Sequence, residues 1–513
     1  MNYYLGLDNG GTVTKAALYS STGEEVYVES AETKMLTPCV DFSERDMDEM
    51  WDVNCMLIKK LTAKSGIDVK KIKGVAVCGH GKGLYLWGKN NKPIRNGIIS
   101  TDNRAWEIVE KWRQGGIEEK VLQISAQHIL PSQPVALLAW IKEHEPDTYE
   151  NIRWVFECKD YIRFRLTGKA FAEITDYSGA NFLNLFTRDF DPELLELFGI
   201  LEIQNALPPL CTATQICGTI TNEVAMRTGL MIGTPVAGGM FDIDACAVAV
   251  NVVDENHVCM IAGTWSINEY IRKAPVTDGK VLMNSLFCLP EYYLVEECSP
   301  TSAGNFEWLI RNFFPELEQS VAEEGQSIYD TMNGWVKSIS PKEFCPIFLP
   351  FLMASNVHPN AKGSFVGISN YHTRKHFVRS VYEGITFSHK YHLKKLLATR
   401  KGPVQSIRLA GGVGKSNVWV QMFADVMQLP IEVADVNESG ALGCAIAAAV
   451  ATGEYPDLQT AANAMSALQQ PVYPKEQNIP IYQQKYDLYL KIIESLANSW
   501  NDVQKLIDVS KES

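Results

Sequence analysis

The strongest constraint on the fold is a glycine-rich segment near the start of the chain. An apolar run at residues 3–7 leads into Asp8, a pair of glycines and Thr12, and a second apolar run ends at Tyr19. This pattern predicts a β-hairpin whose tight turn presents backbone N–H groups. Glycine lets a backbone approach an anion closely, and the hydroxyls and lysine nearby can bind phosphate. A turn that is glycine-rich only for its geometry explains the same residues.

The length and charge of the chain limit its class. With 513 residues it is too long for one ordinary domain, and two large domains or three smaller ones fit. The net charge of −13 argues against a general nucleic-acid or anionic-membrane surface. No run approaches the roughly 18 apolar residues of a membrane span, and no basic segment precedes an apolar stretch at the start. We therefore expect a cytoplasmic globular protein that binds anions only at a local site.

The cysteines do not indicate a metal or disulfide framework. All twelve are scattered singly, with no Cys-x-x-Cys pair. Zinc sites and disulfide-rich folds need characteristic spacings. Reduced and mostly buried thiols are the expected state.

Hydrophobic periodicity predicts alternating strands and helices. Strands are expected at 72–77, 84–87, 235–242, 257–262 and 408–412, and helices at 46–60, 105–113, 135–142, 159–166, 245–250, 418–427 and 482–507. A helix rich in small residues begins near Glu438, and residues 175–178 are expected to form a turn or cap. Polar residues at 251–255 interrupt the pattern, so we place a domain boundary near residue 250.

Two glycine motifs do not fit known nucleotide-binding fingerprints. A dinucleotide site needs its third glycine three residues after the second, but in Gly79-x-Gly81-x-Gly83 it comes two residues after. A strand rather than a helix is expected to follow. Gly414-Lys415-Ser416 would need a glycine at the position of Leu409 to form a P-loop. Both hypotheses fail on spacing.

Asp242 and the pair Asp102 and Arg104 are candidates for chemistry. Asp242 follows a strand and two glycines and precedes a helix, where a carboxylate can point into a cleft and take a proton from a hydroxyl. Asp102 and Arg104 follow a short strand and could bind polyol hydroxyls. In isolation, helix caps and a surface arginine are the more common explanation of these residues.

Taken together, the glycine turns resemble those of the FGGY carbohydrate kinases in order and spacing. The matching motifs are Asp8-x-Gly10-x-Thr12-x-x-Lys15, Gly238-Gly239-x-x-Asp242, Gly263-Thr264, Gly411-Gly412, and a C-terminal signature of Gly363-x-Phe365-x-Gly367-Ile368 followed by His376-Phe377-x-x-Ser380-Val381-Tyr382-Glu383. The resemblance covers nearly the whole chain. It implies an α/β fold of two RNase H-like domains, of the actin/Hsp70 ATPase type, with a nucleotide and sugar cleft between them.

Within this family the chain looks closest to bacterial L-xylulose kinases. The segments that carry this similarity are residues 43–47, 81–84, 140–146 and 299–305. D-xylulose kinases are similar in outline, but His80-Gly81-Lys82 stands where they have Gln-Met-His, and Ser100-Thr101-Asp102 where they have Trp-Asn-Asp. These departures argue against D-xylulose as the main substrate.

The resemblance also implies domains and residue roles. Residues 1–250 would be the sugar-binding and catalytic domain, 251–480 the nucleotide-binding domain and 481–513 a C-terminal helix packed on the body. With ATP and Mg2+ as cofactors, Asp242 would be the general base and would contact the sugar, and Asp8 would help to hold the metal. The nucleotide and its phosphates would contact Thr12, Thr14, Lys15, Gly263, Thr264, Gly411, Gly412 and Ser416. The sugar pocket would include His80, Lys82, Asp102 and Arg104.

Several alternatives stay open at this stage. Another FGGY kinase, for D-xylulose, ribulose or glycerol, shares the same motifs, and an actin- or Hsp70-like ATPase would use the same nucleotide cleft. The expected partners are a small sugar and ATP, with no nucleic acid and no membrane, and the resemblance allows a homodimer.

Overall fold

The computed structural model describes residues 1–263, 265–353 and 355–511 of the chain. The strands are β1 (Tyr3–Asn9), β2 (Val13–Ser20), β3 (Glu25–Glu32), β4 (Glu44–Arg45), β5 (Ile72–Gly79), β6 (Tyr85–Gly88), β7 (Gly97–Ile98), β8 (Ile152–Phe156), β9 (Ala172–Glu173), β10 (Leu183–Asn184), β11 (Asp189–Phe190), β12 (Leu210–Cys211), β13 (Ile216–Thr219), β14 (Pro235–Ala237), β15 (Met240–Phe241), β16 (His257–Ala262), β17 (Ser266–Arg272), β18 (Met283–Leu286), β19 (Tyr293–Ser299), β20 (Ile347–Leu349), β21 (Ser364–Val366), β22 (Ser406–Ala410) and β23 (Ile431–Val433). The helices are α1 (Met47–Lys64), α2 (Trp106–Gln114), α3 (Ile117–Ser125), α4 (Pro134–His144), α5 (Pro146–Glu150), α6 (Cys158–Thr167), α7 (Ile174–Gly179), α8 (Pro192–Leu197), α9 (Asn222–Thr228), α10 (Asp242–Ala249), α11 (Gly304–Phe313), α12 (Pro315–Glu323), α13 (Ile328–Ser338), α14 (Arg374–Leu397), α15 (Asn417–Met427), α16 (Ser439–Ala451), α17 (Leu458–Met465) and α18 (Ile479–Lys511).

The chain forms two compact units. The first comprises Met1–Glu255, Ile271–Val295 and Asp435–Ala467, and the second comprises Asn256–Tyr270, Glu296–Ala434 and Leu468–Ser513. Helices α16 and α17, which lie late in the sequence, therefore belong to the first unit. The domain ranges inferred from the sequence stay predictions. No helix in the described ranges has the length and apolar composition needed to cross a membrane.

The main sheet of the first unit confirms the predicted hairpin. Its strands lie in the order β13-β14-β5-β1-β2-β3, and β15 pairs with β5 beside β14. Strands β1 and β2 are antiparallel, whereas β1, β5, β14 and β15 are parallel. Because the carboxyl ends of parallel strands lie at one edge of a sheet, the loops after β1, β5 and β15 come together.

Helix α16 packs closely against this sheet because its contacting face carries small residues. A Cβ atom added to Gly6 in β1 would lie 1.9 Å from the backbone oxygen of Ala441. A Cβ added to Gly443 would lie 2.2 Å from the backbone oxygen of Ala245 in α10. Backbone atoms cannot move aside as side chains can, so this close packing requires glycine at both positions.

Two local predictions for the first unit were wrong in detail. Residues 235–242 were expected to form one strand, but Gly238 and Gly239 separate β14 from β15. Gly239 has a φ of 75°, which breaks the extended conformation. Residues 175–178, expected to be a turn or cap, lie within α7, where the Glu173 side chain accepts a hydrogen bond from the backbone N–H of Thr175.

The second unit has a sheet in which β17, β16, β22 and β23 are successive neighbours. Strands β16 and β22 are parallel, and β22 is also parallel to β23. The long helices α14 and α18 belong to this unit, and α18 confirms the terminal helix expected from the periodicity of residues 482–507.

Candidate active site

Three predicted site residues of the first unit meet at the carboxyl edge of its sheet. Asp8 is the penultimate residue of β1, His80 follows β5, and Asp242 follows β15. Gly79 is the register partner of Asn9 on one side and of Phe241 on the other. The sheet therefore brings together residues that are more than two hundred positions apart in the sequence.

Asp8 and Lys15 form the acidic and basic centre of the glycine hairpin. They are directly opposite each other in the β1–β2 ladder, so their side chains lie on the same face. Burial raises the pKa of Asp8, and Lys15 opposes this shift. Lys15 forms an ion pair with Glu438, the residue before α16. Burial lowers the pKa of Lys15, but the pairing with Glu438 outweighs burial and raises it.

The carbonyl groups of the glycine turn are held by a buried arginine. The Nη2 of Arg45 donates to the carbonyl oxygens of Gly11 at 2.7 Å and Gly10 at 3.3 Å. Arg45 is only 2% exposed. The N–H of Gly10 donates to the carbonyl oxygen of Val13 at 3.1 Å, so the N–H groups of Gly11 and Thr12 are the candidates for binding an anion.

The two threonines of the turn differ in exposure. Thr12 is exposed at the tip, where its hydroxyl can reach a ligand. Thr14 is buried, and its hydroxyl lies 3.2 Å from that of Thr33, the residue after β3. Thr12 is thus open to solvent, whereas Thr14 is enclosed within the first unit.

Asp242 begins helix α10 and is half-buried. Burial raises its pKa well above the usual value for an aspartate, and the neighbouring carboxylates of Asp8 and Asp176 raise it further. Lys82 lowers it. A carboxylate with a raised pKa is a stronger base once ionised, which suits proton abstraction.

The loop after β5 places Lys82 beside this carboxylate. Lys82 adopts a left-handed conformation with φ 62°, and its Nζ lies 5.9 Å from the centre of the Phe241 ring. A Cβ added to Gly81 would lie 2.3 Å from the same ring. The loop can approach the Asp242 turn this closely because residue 81 has no side chain.

His80, by contrast, is enclosed within the first unit. Its Nε2 lies 2.8 Å from the Tyr85 hydroxyl, and its Nδ1 lies 3.3 Å from the carbonyl oxygen of Gly81. Burial, with a smaller effect of Arg45, lowers the pKa of His80 to about 3. The imidazole is therefore neutral, and its role as a sugar ligand stays a prediction.

Asp102 and Arg104 pair with each other. The guanidinium of Arg104 donates to Asp102 at 2.8 and 2.9 Å and to Glu44 at 2.8 Å. Its carbon Cζ also lies 4.0 Å from the centre of the Phe42 ring and 5.1 Å from that of Trp140. Both charged side chains are fully enclosed. These contacts hold both side chains in place within the first unit, and direct contact with a sugar stays a prediction.

The second unit gathers its own predicted residues at one sheet edge. Gly263 and Gly411 follow the parallel strands β16 and β22, and a Cβ added to Gly411 would lie 2.6 Å from the carbonyl oxygen of Ala262. Nothing lies within 4 Å of a Cβ added to Gly412, so this glycine faces open space. Ser416 caps α15. Thr264 lies outside the described residues.

Sequence reasoning assigned no role to two residues that organise the glycine turn. Arg45 stood within a segment that supported the family resemblance, but nothing in its local sequence indicated that it contacts Gly10 and Gly11. Glu438 was noted only as the start of a helix. Both contacts join segments far apart in the sequence, and one sequence contains no signal for such pairs.

Comparisons with known proteins agree with this geometry. Residues 3–249 match the N-terminal domain, and residues 258–452 the C-terminal domain, of the FGGY family of carbohydrate kinases. The chain belongs to this family. It is therefore an ATP-dependent carbohydrate kinase, as the sequence motifs predicted, and its cosubstrates are ATP and a small sugar.

Individual FGGY kinases resemble the chain over nearly its whole length. The L-xylulose/3-keto-L-gulonate kinase of Escherichia coli is 37% identical over 496 residues, which cover 96% of this chain and 97% of that protein. The probable L-xylulose kinase of Haemophilus influenzae is 35% identical and covers 97% of this chain and 100% of its own. The structure of xylulose kinase from Lactobacillus acidophilus has a TM-score of 0.87 at 25% identity and covers 98% of this chain and 100% of its own. These matches confirm the two-domain kinase fold.

Proposed function

We propose that this FGGY kinase transfers the γ-phosphoryl group of ATP to the C5 hydroxyl of L-xylulose, with Asp242 as the general base. The observation that carries this assignment is the position of Asp242, a half-buried carboxylate at the start of α10 beside Asp8 and Lys82. The choice of L-xylulose as the sugar rests on the names of the relatives, since two of them are L-xylulose kinases by name.

In the proposed mechanism, one residue takes the proton and other residues neutralise the charge of the phosphates. Asp242 would take the proton of the primary hydroxyl as its oxygen attacks the γ-phosphorus, and the ADP oxygen would leave in line. Lys15 and the N–H groups of Gly11 and Thr12 would bind phosphate oxygens. From the second unit, Gly263, Gly411, Gly412 and Ser416 would contact the nucleotide.

Asp8 is the residue proposed to help hold Mg2+. The described part of the chain contains no group of three or more His, Cys, Asp or Glu side chains that could hold a metal ion. Mg2+ bound with a nucleotide commonly uses one or two carboxylates, substrate phosphates and water, so the half-buried carboxylate of Asp8 is a fitting donor. The ion would neutralise negative charge on the phosphates.

A second substrate class has specific support. The name of the E. coli relative includes 3-keto-L-gulonate, an acidic ketose. Lys82 is a cation close to the proposed base, and it could bind a carboxylate of such a substrate. A sugar acid is therefore the alternative to a neutral ketopentose.

A panel of acceptors tests the substrate assignment. We expect L-xylulose to give the highest kcat/KM among L-xylulose, D-xylulose, L-ribulose, glycerol and 3-keto-L-gulonate in a coupled assay of ADP release. Preference for another acceptor would overturn the assignment of L-xylulose as the substrate and leave the enzyme class unchanged. ATP hydrolysis at the full rate without any sugar would contradict the proposed transfer to a sugar hydroxyl.

Replacing Lys82 with Met should shift the acidic limb of the pH profile. Asp242 must be ionised to act, so kcat/KM falls as the pH drops below its pKa. Lys82 lowers that pKa. Its loss should therefore move the acidic limb to higher pH by about one unit, and the two enzymes should become more similar above both pKa values.

The matched control for this prediction is Lys82→Arg. It keeps the charge near Asp242, so its acidic limb should stay close to that of the unmodified enzyme. An acidic limb that stays in place in Lys82→Met would show that Lys82 does not tune the base. A higher KM for sugar in both variants would identify a contact with the substrate that needs a lysine.

A further inference from the structure

A buried ionic cluster lies next to the turn that carries Asp242. Its members are Lys159, Asp160, Arg163, Glu173 and Asp176, each no more than 1% exposed. The Nζ of Lys159 lies 2.9 Å from Asp160, 3.1 Å from Asp176 and 3.5 Å from Glu173. The guanidinium of Arg163 lies 2.6 Å from Asp160. A network of this kind is costly to bury and holds its members in a defined arrangement.

Two hydrogen-bond connections join this cluster to the Asp242 turn. The Nη1 of Arg163 donates to the carbonyl oxygen of Gly238 at 2.5 Å. The backbone N–H of Phe241, the residue before Asp242, donates to the Thr175 hydroxyl oxygen at 2.9 Å. The Thr175 hydroxyl in turn donates to Glu173 of the cluster at 2.6 Å. Thr175 is fully buried, so no solvent competes for these bonds.

Gly238 and Gly239 hold the backbone of the Asp242 turn in place because they pack closely against neighbouring backbone. A Cβ added to Gly238 would lie 2.1 Å from the carbonyl oxygen of Thr212, and one added to Gly239 would lie 1.9 Å from that of Val77. The backbone is therefore packed against neighbouring backbone up to residue 239. Met240 and Phe241 pair with β5 in the sheet, and the bond from the Phe241 N–H to Thr175 is a further, side-chain contact that holds the chain immediately before the base.

We propose that Thr175 is a positioning residue of this kinase, which sets the direction of the Asp242 carboxylate by holding the Phe241 N–H against the buried cluster. The proposal rests on the assignment of Asp242 as general base. Thr175 does not touch the substrate in this role. Reaction rates are sensitive to such positioning, since a displacement of about 1 Å can cost about 10²-fold in rate.

The test compares Thr175→Val with two other variants. Valine keeps the shape but removes both hydrogen bonds, whereas Thr175→Ser keeps the hydroxyl. Thr228→Val is the structural control, because the Thr228 hydroxyl is also fully buried, accepts from the N–H of Leu230 at 3.3 Å and donates to the carbonyl oxygen of Val224 at 2.7 Å. Each variant is measured for kcat, for the KM of ATP and of sugar, and for Tm.

We expect Thr175→Val to lower kcat about 10- to 100-fold with little change in the KM of ATP. Thr175→Ser should restore most of this turnover. Thr228→Val should lower Tm as Thr175→Val does, while its kcat stays near that of the unmodified enzyme. If Thr175→Val does not fold, Thr175→Cys replaces it, since a thiol is of similar size but a weak acceptor.

Two results would overturn the proposal. One is a kcat for Thr175→Val, or for its Cys substitute, that falls no further than that of Thr228→Val. The other is a loss of turnover that Thr175→Ser does not restore. The outcome for Asp242→Asn separates the proposals: full activity there would overturn the base assignment and this inference together. An inactive Asp242→Asn beside a fully active Thr175→Val would overturn this inference alone.

Discussion

Asp242→Asn is expected to lower kcat about 10²- to 10⁴-fold, the usual range for loss of a general base. Asparagine keeps the shape of the side chain at the start of α10 but cannot accept the proton of the sugar hydroxyl. The measurement is steady-state ADP release with saturating ATP and L-xylulose. ATP affinity should be retained, because the proposed nucleotide contacts lie elsewhere in the chain.

The control for this variant is Asp244→Asn. Asp244 lies in the same first turn of α10, is fully buried, and accepts a hydrogen bond from the N–H of Cys288 at 3.1 Å. Asparagine can keep that acceptor, so we expect turnover near that of the unmodified enzyme. Unchanged turnover in Asp242→Asn would refute the base assignment. Equal losses in both variants would indicate damage to α10 instead.

The proposed role of Asp242 depends on its surroundings. Burial and two neighbouring carboxylates favour the protonated form, and Lys82 favours the ionised form. The same features that make Asp242 a strong base therefore reduce its ionised fraction at low pH. A positioned cation is the simplest way to keep such a base ionised near neutral pH.

The sequence was sufficient to predict the parts of the site that depend on local pattern. The hairpin around Asp8 and Lys15 follows from two apolar runs and a glycine turn, and helix α10 follows from the small residues after Asp242. The expectation that Asp8 and Asp242 line the same cleft came from the family resemblance, and the strand order that brings them together was not predicted. It could not come from periodicity, which predicts strands but does not determine which strands are neighbours.

The contacts that support the site could not be predicted in this way. Thr175 and Phe241 are 66 positions apart, and their hydrogen bond joins α7 to β15. The sequence around Thr175 indicated a turn or a cap, which any threonine before a short helix would suggest. Arg45, in β4, likewise contacts Gly11 only because β4 and the hairpin pack in one unit. Such contacts depend on tertiary structure, and a single sequence does not record which distant residues meet.

Asp8→Asn is the second variant for which we expect a large loss, about 10²- to 10³-fold in kcat at limiting Mg2+, as is typical when one preorganised electrostatic contact is removed. Asparagine is a weaker ligand than a carboxylate for a hard cation. The Mg2+ concentration needed for half-maximal rate should therefore rise. Calorimetric titration of the ATP-bound enzyme with Mg2+ measures the expected loss of Mg2+ affinity directly, without turnover.

Glu438→Gln is the matched control, because Glu438 is the other carboxylate that neighbours Lys15. It should change the Mg2+ requirement little. The pH profile adds an independent check: Asp8 raises the pKa of Asp242, so Asp8→Asn should move the acidic limb to lower pH, opposite to Lys82→Met. An unchanged Mg2+ requirement together with a shifted acidic limb would show that Asp8 acts on the base alone, and the metal would then need another ligand.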